Sequence, residues 1–135
     1  MVLMMLLALF PTVIFAEETD FGVGDTGTAE IAPFSGVRVY KSPNSMVESN
    51  IFPVETAVNV MEAYVTENRH YVEATSGMMK RKKGYIDTRK GNNNTLKSIN
   101  ITGKVEKTYR DIKAEEAAEK AAQEKAESKY THDID

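Results

Sequence analysis

The residues in this chain that could do chemistry are two histidines, six tyrosines and one run of four cations. Cysteine is absent, which excludes disulfide bonds, thiolate metal sites and cysteine nucleophiles. A metal site needs clustered His, Cys or carboxylate ligands, whereas His70 stands in a β-rich stretch and His132 in the terminal tail. The sequence therefore predicts no metal site.

Catalysis by a nucleophile needs a base beside it, and nothing in the sequence brings Ser42 or Ser76 to His70. We interpret His70 as a packed or rim residue that takes the place of an aromatic. Spacing alone does not exclude a carboxylate pair for sugar-bond hydrolysis, but a β domain of this size rarely forms the cleft that such a pair needs. The prediction is a protein without catalytic residues.

Three glycines, Gly22, Gly24 and Gly27, have the spacing of a dinucleotide-binding fingerprint. That fingerprint needs a strand before it and a helix after it. Pro33 and Gly36 follow instead. No nucleotide or other cofactor is predicted.

The strongest charge feature is the run Lys80-Arg81-Lys82-Lys83. At a hairpin tip, four adjacent cations could bind anionic lipid, a teichoic-type polymer or an acidic protein face. The alternative is a solvated loop that keeps a sheet edge from aggregating. Both interpretations stay open at the level of sequence.

Tyrosines are the remaining candidates, because an aromatic ring with a polar tip suits a recognition groove. We expect Tyr71 and Tyr85 to pack partly in a core, and Tyr40 and Tyr64 to lie at the surface. The predicted binding residues are therefore Tyr40, Tyr64, His70, Lys80, Arg81, Lys82 and Lys83.

These residues lie on short β segments bounded by Gly, Pro, Asn or Ser, which is typical of a small antiparallel barrel or sandwich. Val58 and Val60 share one face of such a segment. A first strand is predicted over 28–34 and a final strand or strap over 96–105. Residues 51–54 either add a strand or pack across the barrel mouth, because Pro53 disfavours a regular central strand.

The order of the segments resembles the bacterial SH3-like (SH3b) domain family. The resemblance covers about 60 residues and rests on the segments Val37-Arg38-Val39-Tyr40-Lys41-Ser42-Pro43, Val58-Asn59-Val60, His70-Tyr71-Val72 and Gly84-Tyr85-Ile86. His70 replaces the usual Trp, and residues 78–83 lengthen the turn before the closing strand. The resemblance implies a small β-barrel that binds cell-wall peptide or protein surfaces without chemistry of its own.

The N-terminal residues 1–16 are apolar and stop at Glu17-Glu18. This run is short for a bilayer span, which takes about 20 residues, and it suits a secretory signal peptide. A buried N-terminal helix is the alternative. No Lys or Arg precedes the run, so either the true start lies upstream or the terminal amine is the only positive charge. The sequence predicts export to the periplasm, envelope or medium, with no stable transmembrane span after cleavage. Residues 17–27, acidic and Gly-rich, are predicted to be a flexible lead-in to the domain over 28–103.

From residue 104 to 130 the chain is rich in Ala, Glu and Lys, which are strong helix formers. The apolar stripe is mostly alanine, which is thin for packing in a core. The predicted helix is either solvated, or it docks on a partner or pairs with itself as a weak coiled coil. Residues 131–135 are expected to fray.

The net charge of −3 argues against a nucleic-acid binder, which usually carries a basic excess. Taken together, the sequence predicts a mainly β protein: a small SH3-like antiparallel β-barrel followed by a charged C-terminal α-helix. The predicted function is an exported, non-enzymatic module, a protein-binding subunit of a bacterial envelope machine for secretion, motility or conjugation. A peptidoglycan-binding module and an accessory to, or form of, a cell-wall hydrolase are the alternatives.

Overall fold

A computed structural model describes residues 20–89 and 94–134, with side chains as far as residue 126. This part of the chain forms seven strands and one helix. Their bounds are β1 (Asp25–Ile31), β2 (Val37–Tyr40), β3 (Glu48–Phe52), β4 (Ala57–Thr66), β5 (Arg69–Ala74), β6 (Lys83–Asp87), β7 (Leu96–Lys104) and α1 (Tyr109–Ile134). The predicted signal peptide over 1–16 lies outside the described residues.

The strands form one antiparallel sheet in the order β3-β2-β6-β5-β4-β1-β7. The mainly β prediction with a C-terminal helix is confirmed, and 51–54 contributes to a strand, β3, rather than only covering the core. Within the described part of the chain, the two edge strands, β3 and β7, do not pair with each other. The closed barrel is therefore not confirmed, because closure requires a ladder between those edges.

One face of the sheet holds the core, as the alternating apolar pattern predicts. Val58 and Val60 on β4 are both buried, and so are Val37 and Val39 on β2. The largest fully buried side chains are Phe52, Ile31, Ile86, His70, Val39, Val58, Val60, Val72 and Thr95. The outward residues of β5 and β6 form the opposite face, which matters for the sites described below.

Two glycines let neighbouring strands approach closely. A Cβ at Gly84 on β6 would overlap Val39 Cγ1 and lie 2.9 Å from the Tyr40 carbonyl oxygen on β2. A Cβ at Gly27 on β1 would overlap the Asn100 carbonyl oxygen on β7. The third glycine of the apparent dinucleotide fingerprint is thus explained by strand packing.

The first strand begins at Asp25, three residues before the predicted start at Thr28. Phe21 is buried in the core. Gly24 is fixed by its N–H, which donates to the Ala63 carbonyl at 2.9 Å, and by its carbonyl, which accepts from the Val105 N–H at 2.8 Å. Residues from Asp20 onward therefore belong to the folded domain, and the predicted flexible lead-in over 17–27 does not extend through them. Its Gly-rich composition is that of a linker, but backbone pairing holds it.

Helix α1 begins at Tyr109 and continues to Ile134, four residues beyond the predicted end. Residues 131–134, expected to fray, are helical. The start is set by a capping box, in which the Asp111 N–H donates to Thr108 Oγ1 at 3.1 Å and the Thr108 N–H to Asp111 Oδ2 at 3.3 Å. From residue 110 to 126 every side chain is exposed.

Candidate functional site

Tyr40 is buried, with 5% of its surface exposed, so the prediction of a surface position is wrong. The Arg69 guanidinium lies 3.9 Å from the centroid of its ring. Arg69 in turn donates from Nε to Asp87 Oδ1 at 2.9 Å and from Nη1 to the Ser42 carbonyl at 3.2 Å. Tyr40 points to the face opposite the core, as alternation after Val39 requires, and it is buried there because Arg69 and the β2–β3 loop cover it.

Tyr64 and His70 are also buried, at 7% and 2% exposure. The prediction that His70 packs is confirmed, whereas the surface position predicted for Tyr64 is wrong. The Tyr64 N–H donates to His70 Nδ1 at 3.0 Å, and the two rings meet edge to face with centroids 4.6 Å apart. Phe21 meets the same imidazole at 6.2 Å. His70 thus fills the position of an aromatic and anchors the irregular end of β4.

The side chain of Tyr64 is held by a second partner. Its hydroxyl donates to Asp20 Oδ2 at 2.6 Å. Burial raises the pKa of the Tyr64 hydroxyl well above its ordinary value, and the hydrogen bond and negative charge of Asp20 raise this pKa further. The hydroxyl therefore stays protonated and serves as a donor through the neutral range.

Tyr71 and Tyr85 are half-buried on the face opposite the core, with ring centroids 4.8 Å apart. Burial first, and then the neighbouring Tyr71, Tyr109 and Glu62, raise the pKa of the Tyr85 hydroxyl. The expectation of partial packing is confirmed, but these two tyrosines are more exposed than Tyr40 and Tyr64. The order of exposure is the reverse of the one predicted.

The start of helix α1 is fixed to β4 beside these tyrosines. The Tyr109 N–H donates to Glu62 Oε2 at 2.7 Å, and Arg110 Nε donates to the Tyr64 carbonyl at 3.1 Å. A carboxylate at a helix N-terminus is favourable because it meets unpaired N–H groups and the positive end of the helix dipole. We call Glu62, Tyr64, Thr108, Tyr109 and Arg110 the helix root.

A cleft of about 420 Å³ adjoins the helix root. Its lining residues are Phe21, Gly22, Val23, Tyr64, Glu67, Asn68, Thr88 and Arg110. A second cleft of about 470 Å³ is lined by Tyr40 together with Arg38, Asp87, Arg89 and others. Sequence reasoning missed the helix root, although Tyr109 and Ile112 are the only large apolar residues near the helix start and so signal a contact there.

Lys80, Arg81 and Lys82 lie on the hairpin connection between the neighbouring strands β5 and β6, and Lys83 is the first residue of β6. All four side chains are exposed, as predicted. The Arg81 N–H donates to the Ala74 carbonyl at 2.8 Å and the Lys82 N–H to the Met79 carbonyl at 2.9 Å, which closes the turn. Met79 packs on the core, whereas Met78 is 95% exposed. We call residues 77–83 the cationic tip.

The structure thus divides the seven predicted binding residues between three places. Tyr40 lies under the β2–β3 loop, Tyr64 belongs to the helix root with His70 bonded to it, and the four cations lie at the cationic tip. Residues 20–89 and 94–134 contain no group of three or more His, Cys, Asp or Glu side chains placed to hold a metal ion. Within that same part of the chain, no helix has both the length and the apolar character needed to cross a membrane.

Comparisons of the chain with models of protein families, with curated proteins and with solved structures found no match.

Proposed function

We propose that the protein is a non-enzymatic binding and assembly module of the bacterial envelope, in which an SH3-like β domain presents helix α1 to another protein. The observation that carries the proposal is the combination of a fixed helix start with a fully exposed helix body. Every side chain from 110 to 126 is exposed, while the helix root ties the first turn to β4.

Such a helix has little to gain from its own domain. Its 26 residues extend about 39 Å at 1.5 Å per residue, and most helices in proteins owe their stability to a packed face. Beyond the bonds of the helix root to β4, the contacts that stabilise this helix are local: the cap, the Lys107–Glu115 ion pair at 2.9 Å and the Lys113–Glu116 pair at 3.4 Å. An ordered, exposed arm of this length supplies a partner surface without a folding cost.

Ala114, Ala118 and Ala121 follow one another at a spacing of four and three along the arm, so they share one side of the helix. Small side chains let a partner helix approach closely. Lys120 lies about 200° from Ala118 at 100° per residue, so it marks the other side. We assign the alanine side as the contact surface for a protein partner.

The SH3-like part of the proposal is supported by the sheet order. The four segments that carry the family resemblance lie on β2, β4, β5 and β6, which are consecutive neighbours in the sheet in the order β2-β6-β5-β4. Their core-facing residues pack in a single cluster. The envelope location rests on the apolar N-terminal run of the sequence.

A photocrosslinking amino acid placed singly at Ala118, Ala121 or Lys120 tests the proposal in cells of the native host. We expect a discrete adduct, identified by mass spectrometry, from the two alanine positions, and little from Lys120. The substitution Ala118→Glu should reduce the Ala121 adduct at least tenfold while leaving the β domain folded.

The competing functions have distinct outcomes. Peptidoglycan binding would replace the proposal if the protein sediments with purified cell wall and the helix gives no protein adduct. In that case Ala118→Glu should not change the sedimentation. Clearing of a wall-containing gel by the purified protein would show an enzyme and contradict the non-enzymatic assignment.

A further inference from the structure

We propose that the cationic tip docks the protein on an anionic lipid surface, with Met78 entering the headgroup region and the four cations binding lipid phosphates. This site is separate from the helix root and α1, and it does not depend on the partner proposed for the helix. It follows from the exposed apolar side chain of Met78 at the end of a hairpin, two residues before the run Lys80, Arg81, Lys82 and Lys83.

The tip has a defined shape that keeps Met78 outward. Gly77 adopts a positive φ of 72° and Arg81 one of 78°. The Lys80 N–H donates to the Gly77 carbonyl at 3.2 Å, and the Ala74 N–H donates to the Lys82 carbonyl at 2.9 Å. Met79 packs inward against the core, so its neighbour Met78 is held in solvent at 95% exposure. A preorganised apolar side chain costs little entropy to insert.

The charge of the tip is not used within the domain. Among the described residues, none of the four cations takes part in an ion pair. One carboxylate is near the tip, because Glu73 lies opposite Lys83 in the β5–β6 ladder. Glu48, which lines a shallow depression beside Met79, is already paired with Arg38 at 3.3 Å. The local field is therefore positive although the whole chain carries a net charge of −3.

The apolar part of the tip decides between the possible anionic partners. A soluble polyanion would use the cations but would gain nothing from an exposed methionine, whereas a bilayer takes both. Met79 also shares the depression with Ile51, whose side chain is 51% exposed. Ile51 thus adds exposed apolar surface near the tip, beside the polar Glu48, Ser49 and Asn50 that line the same depression.

Flotation with vesicles tests this site. The protein, as its native cell produces it, is mixed with phosphatidylcholine vesicles that contain or lack phosphatidylglycerol. The double variant Lys80→Gln/Lys82→Gln should lower binding to the anionic vesicles by about fivefold for each cation, or roughly 25-fold. The matched variant Lys120→Gln/Lys125→Gln makes the same charge change on α1 and should leave binding nearly unchanged. Equal losses from both pairs would overturn the assignment to the tip.

The contribution of Met78 is measured in the same assay. Met78→Ser should lower binding by about tenfold, because transfer of the apolar side chain from water to the lipid is lost. Phe34, an apolar residue on the β1–β2 turn, is 93% exposed, and Phe34→Ser should not lower binding. If the protein instead binds beads coated with an anionic polymer, independently of Met78 and without vesicle flotation, the lipid assignment is wrong and the tip binds a polymer. Circular dichroism of each variant shows whether its fold is retained.

Discussion

Tyr64 is held at three points by three different residues. Its N–H donates to His70, its carbonyl accepts from Arg110, and its hydroxyl donates to Asp20. Its φ of 53° lies in the left-handed region, which is strained for a residue with a Cβ. A residue in this conformation persists when its surroundings fix it, and these contacts supply that restraint.

Replacing Tyr64 with Phe removes the hydroxyl that donates to the Asp20 carboxylate. We expect the free energy of unfolding at neutral pH to fall by about 1 to 3 kcal/mol, the range for a hydrogen bond to a charged group and the desolvation of its partner. Urea denaturation measures the change. Tyr71→Phe, on the half-exposed face, is the control and should alter stability little.

The same variant should change the response to alkali. The raised pKa of the Tyr64 hydroxyl means that the unfolded chain loses this proton first, near pH 10. The contribution of Tyr64 to stability is present below that pH and is lost as the pH rises toward the folded pKa. Wild-type protein should therefore lose stability above about pH 10 more steeply than Tyr64→Phe. Denaturation midpoints compared from pH 8 to 11 test this, and parallel curves would contradict it.

At Gly84 there is no room for even one side-chain carbon. Since an added Cβ would overlap Val39 Cγ1 and approach the Tyr40 carbonyl at 2.9 Å, Gly84→Ala should lower the free energy of unfolding by about 1 to 3 kcal/mol. Thermal unfolding is the measurement. Gly22→Ala is the matched control, because its nearest atom would be the side-chain oxygen of Asp25 at 3.3 Å. Equal effects at the two positions would show that strand approach is not the cause.

At the scale of elements, local pattern predicted most strands and the helix. The patterned segments 58–60 and 70–72 lie within β4 and β5, because each strand has one buried face. The start of β1 was missed because its glycines look like a linker, and their role appears only when β7 approaches Gly27. Tyr40 was misplaced because the chain pattern identifies the core face, but cannot show that Arg69 and a distant loop cover the other face.

The candidate sites divide in the same way. The cationic tip was found from the sequence, since four adjacent cations on a hairpin need no tertiary contact to be exposed. The helix root was not found, because Glu62 and Tyr109 are brought together only by the docking of α1 on β4. Nothing local in either segment specifies that pair.

The cap of α1 controls whether the arm keeps its direction. Thr108→Ala removes the side chain that accepts from the Asp111 N–H, at a cost of about 1 kcal/mol. We expect faster hydrogen exchange in the first turn of α1, with exchange in β4 and β5 unchanged. Thr102→Ala on β7 serves as the control for loss of an exposed threonine. Unchanged exchange in the first turn would show that the bonds from Tyr109 and Arg110 to β4 order the arm without the cap.

At the scale of the whole molecule, we expect the sheet and the arm to be nearly independent in stability. The described side chains of α1 after its first turn are exposed, so the arm buries little apolar surface on the sheet. β7 differs, because it pairs with β1 along its length and its Leu96 is fully packed. Acidic and basic residues are mixed along α1, whereas Lys80, Arg81, Lys82 and Lys83 lie side by side at the hairpin tip.

Truncation after Lys107 should therefore leave the β domain folded, with a melting temperature lower by only a few degrees, as for a loss of about 1 kcal/mol. Truncation after Thr95, which also removes β7, should abolish cooperative unfolding, because β1 loses its outer neighbour. Calorimetry of the two shortened chains tests the difference. A large loss of stability in the first of them would mean that the arm is part of the core.

The hydrogen bonds of Tyr64 have a mechanical consequence. Arg110 donates to the Tyr64 carbonyl, and the N–H of the same residue donates to His70 in the core. The first turn of the arm is therefore held by one short segment of β4. A force on the far end of the arm therefore acts on the Tyr64 carbonyl and, through the Tyr64 N–H, on the His70 imidazole.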